Sequence, residues 1–133
     1  NIFDLARRHP KRLNAGSLEA QLEALEEHTS EVFHDTIEAF RNSDEDLARQ
    51  VMDDYKEDIS ADSEKMTDDI IGGTVSDLEP PEAAAVVLYA RFLKRIGSHS
   101  RNIATSIVNP FHRIGYNEKT DKSSGTDVIP PPE

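Results

Sequence analysis

Helix-breaking residues divide this chain into three long segments, each with the periodicity of an amphipathic helix. The breaks are the turn-forming run 41–44, the glycine pair 72–73 with the proline pair 80–81, and Pro110. Between them, apolar side chains recur every three or four residues, as one face of a helix requires. We predict helices over about 17–42, 44–71 and 80–109. No sheet is expected, since no useful stretch alternates with a period of two.

Short connections predict how these helices are arranged. Neighbouring helices joined by few residues run antiparallel, so the expected fold is all-α, an up-down-up antiparallel three-helix bundle over residues 17–112. Residues 1–16 are predicted to be a basic leader or linker, and residues 113–133 a mobile, polar, proline-rich tail. Several apolar residues lie off the main stripes, so self-association is also expected. They are Phe33, Met52, Leu88 and Leu93.

Composition excludes several classes of function. The 133 residues carry a formal charge of −11 and only 6% aromatic side chains, which argues against nucleic-acid binding. With no cysteine there is no thiolate catalysis and no Cys-bound metal centre. No apolar stretch is long enough to cross a bilayer. The chain begins at Asn1 with no signal peptide, and we interpret it as a piece of a longer protein.

The predicted second helix carries most of the negative charge, and three of its aspartates are candidate metal ligands. Asp54, Asp58 and Asp62 follow one another at intervals of four, so each pair projects from one helical face and could share a divalent metal or iron. The alternative is a solvated acidic face neutralised by lysines or by the basic third helix. Glu31 and His34 on the first helix form a single E-x-x-H pair, whereas di-iron sites need two.

Nothing in the sequence supports catalysis. Ser98, His99 and Ser100 are consecutive on a helix and face different directions, and Gly72–Gly73 lacks the Lys and Ser/Thr of a phosphate-binding loop. His99 falls on the apolar seam predicted for the third helix, so we interpret it as a core histidine, with a ligand role as the alternative. That seam consists of Ala85, Tyr89, Phe92, Ile96, His99, Ile103 and Ile107, widened by Leu88 and Leu93.

Residues 88–104, LYARFLKRIGSHSRNIA, resemble the third-helix signature of the phosphate-uptake regulator (PhoU) family, whose usual form is close to ARYLERIGDHATNIAE. The residues of this signature that we single out are Arg91, Arg95, Gly97, His99 and Asn102. Residues 39–51 resemble the junction between the first two helices of that family. Together the resemblance covers about 17–109, one three-helix unit, where the regulators proper carry two in tandem.

The signature can also be interpreted physically. Gly97 costs about 1 kcal/mol of helix propensity, and close approach of a neighbouring helix is the usual compensation. Arg95 is expected to pair with carboxylates of the second helix. The resemblance implies metal-binding acids within the signature, but Lys94 and Ser98 stand at those positions. Repulsion by a cation there argues against the full metal cluster.

The resemblance implies a non-catalytic regulatory module that docks to a phosphate transporter, or to its signalling partner. The third-helix variant is most similar to PhoU-like domains attached to Na/phosphate cotransporters, which implies a cytoplasmic position at the inner face of the membrane. There, Arg7, Arg8, Lys11 and Arg12 would lie near anionic lipids, the alternative being a solvated leader. Pairing with a second copy or a second PhoU-like unit is expected, with no cofactor beyond the candidate metal. The alternatives are a metal-binding helical protein and a ligand-free structural bundle.

Overall fold

The computed structural model describes residues 1–118, which are helical without any strand. The all-α class is therefore confirmed for this part of the chain. The helices are α1 (Ile2–Arg8), α2 (Glu19–Asn42), α3 (Glu45–Asp54), α4 (Ala61–Ile71) and α5 (Pro80–Val108). Short 3₁₀ turns cover Gly16–Leu18 and Phe111–Arg113, and a π-helical turn covers Tyr55–Ser60.

The second predicted helix is one continuous path made of three pieces. At both ends of the π-helical turn, the flanking residues Asp54 and Ala61 keep right-handed helical dihedral angles, so the axis continues from α3 into α4. We call residues 45–71 the rod. A π-helical turn adds a residue to the local repeat, and therefore changes which side chains face the bundle on either side of it. The sequence pattern did not predict this turn.

Two residues, Ser43 and Asp44, form the junction between α2 and the rod. Ser43 is left-handed, with φ of 53°, and closes α2. Asp44 is the N-cap of α3, because its carboxylate accepts a hydrogen bond from the backbone N–H of Leu47 at 3.0 Å. With only Ser43 and Asp44 between them, α2 and the rod must be adjacent.

The beginning of α2 is held by a residue far away in the sequence. Ser17 does not cap the helix; its backbone N–H and its hydroxyl donate to the carboxylate of Asp77, at 2.7 and 3.0 Å. Glu19 instead reaches back to accept a hydrogen bond from the N–H of Ala15 at 3.0 Å. The connection between α4 and α5 is thereby tied to the start of α2.

Contacts between the rod and α5 show that these two run in opposite directions. Ser63 near the C-terminal end of the rod donates to the carbonyl of Ala90 at 3.1 Å, and Ile59, earlier in the rod, lies beside Gly97, later in α5. The core between α2, the rod and α5 is apolar. Its largest fully buried side chains are Leu25, Val51, Ile59, Met66, Val86 and Thr105.

The buried stripe of α5 is rotated from the predicted one. Small side chains face the core, at Ala85, Ala90, Gly97, Ser100 and Ala104, together with Val86, Leu93 and Thr105. His99 and Ile103 are exposed, so the prediction of a core histidine is wrong. Apolar periodicity identifies a helix but not which of two adjacent stripes packs more closely, and small residues allow the nearer approach. The larger apolar side chains are left at the edge of the bundle.

Both ends of the described chain differ from the predicted leader and tail. Residues 2–8 form α1, which packs on α5, and the imidazole Nε2 of His9 lies 3.3 Å from the carboxylate of Glu82. Residues 114–118, predicted to belong to the tail, fold back: the N–H of Gly115 donates to the Thr105 hydroxyl at 2.7 Å, and Arg49 binds Glu118 at 2.6 Å. Residues 119–133 lie outside the described residues.

Candidate functional site

Gly97 marks a close approach between α5 and the rod. A Cβ atom at this glycine would lie 3.0 Å from the Cδ1 atom of Ile59 and 3.0 Å from the Cδ2 atom of Tyr55. Both neighbours belong to the π-helical turn. The close approach expected at Gly97 is therefore confirmed, and the signature residue brings an irregular segment of the rod against α5.

The polar residues of the signature face away from this contact. Arg91, Arg95 and His99 are exposed, and Asn102 is half-buried. The side chains of Arg91 and Arg95 form no ion pair within residues 1–118, so the expected pairing of Arg95 with the rod is not observed. These side chains are available to a partner.

Lysines partly neutralise the acidic rod. The ammonium group of Lys94 donates to the carboxylate of Glu64, and within the rod Lys65 binds Asp69 at 2.8 Å. Lys94 stands where the family signature carries a metal-binding acid. The position therefore holds a cation already engaged with a rod carboxylate, which does not fit a metal cluster of the family type.

A second group of polar residues lines a cavity of about 440 Å³ between α2 and the rod. The cavity brings Asp54 and Asp58 of the rod together with Glu31, His34 and Asp35 of α2. Its remaining lining residues are His28, Ser30, Val32 and Gln50. Two of the three predicted metal ligands, Asp54 and Asp58, thus lie around the same cavity as the acidic residues of α2. The third, Asp62, is not among the residues around the cavity.

The electrostatics of this cavity favour a positive charge. Burial and the nearby carboxylates of Asp58 and Asp35 raise the pKa of Asp54, because each of them disfavours the ionised form. The Nδ1 atom of His28 is buried and has no hydrogen-bond partner within the described chain. In their present positions, however, no three His, Asp or Glu side chains among residues 1–118 could hold a metal ion together.

Two parts of this arrangement were not predicted from the sequence. The first is His28, although His28, Glu31 and Asp35 follow one another at intervals of three and four and therefore share one face of α2. The π-helical turn Tyr55–Ser60 carries Asp58 and sits under Gly97, yet its composition is that of an ordinary helix.

The predicted basic cluster is exposed near the N-terminal end of α5. Arg7, Arg8, Lys11 and Arg12 all lie on the surface, and the ring of Phe3 on α1 is 82% exposed. Of these four side chains, Arg12 forms an ion pair with the carboxylate of Glu19 at 3.8 Å within residues 1–118. None of the helices within residues 1–118 combines the length and the apolar character needed to cross a membrane.

Comparison with known proteins completes the description of the site. The family model for the PhoU domain matches residues 22–107, from the first turn of α2 to the last turn of α5, and so covers well over half of the chain. Searches of curated proteins and of solved structures gave no match. The matched region contains the Gly97 contact and the cavity between α2 and the rod. The chain belongs to the PhoU domain family.

Proposed function

We propose that this chain is a non-catalytic regulatory module that docks to a phosphate transporter, or to its signalling partner, and thereby adjusts transport or phosphate-dependent signalling. The observation that carries the proposal is the PhoU match over residues 22–107. The exposure of Arg91, Arg95 and His99 supports it, because a docking module needs free polar side chains on its surface.

Phosphate uptake in cells that produce the chain tests this role. Uptake should differ between cells producing the natural protein and cells producing the Arg91→Ala/Arg95→Ala variant, with transporter levels held equal. A matched control is Arg7→Ala/Arg8→Ala, which removes the same charge from a different surface. If both variants support the same uptake as the natural protein, docking through α5 is refuted.

The proposal also includes the path of the three helices and the pairing of the unit with a second one. We take residues 17–112 as one up-down-up unit that pairs with a second copy or with another PhoU-like unit. The antiparallel contacts of Ser63 with Ala90 and of Ile59 with Gly97 support this path. The exposed aromatic rings of Phe33 and Phe40 on α2 support pairing, because apolar side chains of this size gain free energy when they leave water.

Attachment to a transporter membrane domain, on the cytoplasmic side of the membrane, is proposed for the N-terminal segment. The exposed Arg7, Arg8, Lys11 and Arg12, together with the exposed ring of Phe3, support contact with anionic lipid. Each basic residue near such a surface contributes about 1 kcal/mol. Vesicles containing phosphatidylserine should therefore sediment the chain more effectively than pure phosphatidylcholine vesicles.

Alanine at all four basic positions should abolish that preference. The control is Arg41→Ala/Arg91→Ala/Arg95→Ala/Arg101→Ala, which removes an equal charge away from α1. Sedimentation that is equal for the two lipid compositions, or equally lost in both variants, contradicts lipid contact at α1.

A second candidate function is cation binding in the cavity between α2 and the rod. The unpartnered Nδ1 atom of His28 and the raised pKa of Asp54 favour it. Side chains would have to rotate to complete a ligand set. Calorimetry with Fe²⁺, Zn²⁺, Mn²⁺ and Mg²⁺ should detect sub-millimolar binding that Asp54→Asn/Asp58→Asn abolishes.

The control is Asp53→Asn/Glu57→Gln, which removes the same charge from exposed neighbours on the rod. Binding that survives in the first variant, or that is lost equally in both, excludes the cavity. If neither uptake nor cation binding responds, the remaining alternative is a ligand-free structural bundle.

A further inference from the structure

We infer that the outer side of α5 is the docking surface for an acidic α-helix of a partner protein. This surface, called the polar stripe below, consists of Arg91, Arg95, Ser98 and Asn102. These positions follow one another at intervals of four, three and four, so they lie along one side of the helix. The inference rests on the proposed docking role, and it names the surface and the chemistry of the partner.

Two of the four basic side chains of α5 have no ion pair in the described chain. Lys94 donates to a carboxylate of the rod, and Arg101 donates to the side-chain oxygen of Asn117 at 2.6 Å. By contrast, Arg91 and Arg95 are exposed and form no ion pair within residues 1–118. A guanidinium group presents its donors in a planar fork that matches a carboxylate. The polar stripe therefore carries two unmatched positive charges one helical turn apart.

The charge of α5 identifies the sign of the partner. Residues 83–108 contain four basic and no acidic side chains, although the whole chain has a net charge of −11. An acidic partner on the polar stripe therefore meets no like charge on α5 itself. Arg91 and Arg95 are four residues apart, which is about 6 Å along the helix at about 1.5 Å per residue. Two carboxylates four residues apart on a second helix have the same spacing and can meet both guanidinium groups.

The rod limits the width of the partner. It lies beside α5, where Ser63 donates to the carbonyl of Ala90 at 3.1 Å. Residues 45–71 carry ten acidic and three basic side chains, a net charge of −7. A wide anionic surface, such as a bilayer or a nucleic-acid duplex, would meet this negative charge together with the polar stripe. A single helix is only about 10 Å wide and can lie along α5 without covering the rod.

An apolar side chain beside the polar stripe indicates that the partner helix is amphipathic. Leu88 lies three residues before Arg91 and seven before Arg95, on the same side of the helix, and is 41% exposed. Exposed ion pairs alone contribute little to affinity, because water screens them. A partner with an apolar side chain on the same face as its carboxylates also removes Leu88 from water. The inferred partner is therefore an acidic amphipathic helix.

A fluorescein-labelled synthetic helix tests the inference by anisotropy with the full chain. The probe has three heptads, each with two glutamates four residues apart and one leucine on the same face. One control probe carries glutamine in place of glutamate. A second has the same composition as the first probe, with its glutamates spread over all faces. The chain should bind the first probe at least about 10-fold more tightly than either control, because only that probe presents paired carboxylates beside leucine.

Variants of the chain locate the contact. Arg91→Ala/Arg95→Ala should weaken binding of the first probe by about 10-fold, because two ion pairs are lost. The matched control is Arg41→Ala/Lys56→Ala, which removes the same charge from exposed positions of α2 and the rod and should bind as the natural chain does. Arg91→Glu/Arg95→Glu should instead prefer a probe with lysine at the glutamate positions. Circular dichroism of each variant shows whether its helices are intact.

Four outcomes overturn the inference. They are equal affinity for the three probes, equal loss in the two alanine variants, a preference for phosphatidylserine vesicles that Arg91→Ala/Arg95→Ala abolishes, and a dimer that only this variant converts to monomer. The last two assign the polar stripe to lipid and to a second copy. Phosphate uptake that responds to Arg91→Ala/Arg95→Ala while the probe does not bind leaves the regulatory role standing and refutes the acidic helix. The inference and the proposed function can therefore fail separately.

Discussion

Substitution of Gly97 by alanine provides a quantitative test of the packing between α5 and the rod. Alanine gains about 1 kcal/mol of helix propensity over glycine. Its Cβ atom, however, would meet Ile59 and Tyr55 at 3.0 Å. Ile59 is fully buried, so a shift of its side chain would disturb the residues packed around it, and overpacking of this kind costs about 1–3 kcal/mol. The sum predicts a net destabilisation of about 1 kcal/mol.

Thermal unfolding followed by circular dichroism measures this effect. For a domain of this size, about 1 kcal/mol corresponds to a Tm decrease of roughly 4–8 °C. Ala84→Gly, at an exposed position of the same helix, calibrates the propensity difference alone and should cost about 1 kcal/mol. If Gly97→Ala is stabilised by the amount that Ala84→Gly loses, the two helices have room for a methyl group and the packing argument is refuted.

A double variant separates steric strain from other causes. Ile59→Val removes the Cδ1 atom, one of the nearest neighbours of the new methyl group, and alone should cost about 0.5–1.5 kcal/mol. In the Gly97→Ala background it should cost at least about 0.5 kcal/mol less, because it also relieves the contact. Strictly additive effects would show that Ile59 is not the side chain that opposes alanine.

Three further predictions concern a helix cap and two carboxylates. Asp44→Ala should lower stability by about 1 kcal/mol in urea unfolding, because the N–H of Leu47 loses its partner. Hydrogen bonds from Ser17 lower the pKa of Asp77, so this carboxylate stabilises the fold above pH 3.8 and the stabilisation is lost as the pH falls through the lowered pKa. Asp77→Asn should therefore flatten the acid limb of a Tm–pH profile. Burial raises the pKa of Asp54, so stability falls as the pH rises through and above 3.8. Asp54→Asn should raise the Tm at pH 7 and leave it nearly unchanged at pH 3.

Helix positions could be predicted from the sequence because helix ends depend on local chemistry. Pro80 and Pro81 have no N–H to donate, so they fit the first turn of α5 and no later one. Gly73 takes the left-handed conformation, with φ of 76°, just after α4 ends. Gly97 could likewise be predicted as a close contact, since a glycine inside a long helix is costly unless another helix approaches it.

Which side chains form the site depends on how each helix is oriented about its own axis in the packed bundle. The sequence of a single helix does not determine this orientation. The sequence predicted a buried His99 and an ion pair between Arg95 and carboxylates of the rod. Both side chains are instead exposed, because α5 packs with its small residues inward. The meeting of Asp54 and Asp58 with His28 and Asp35 requires α2 and the rod to be adjacent, which the sequence of neither helix determines.

The sequence alone determined where the three long helices begin and end, that no strand is expected, and which stretch identifies its family. Only the tertiary structure decided which stripe of α5 is buried, where the rod takes its π-helical turn, and which apolar side chains remain exposed. The physical reason is that capping and backbone restrictions act within a few residues, whereas the choice between two adjacent apolar stripes depends on the combined shapes of all three packed helices.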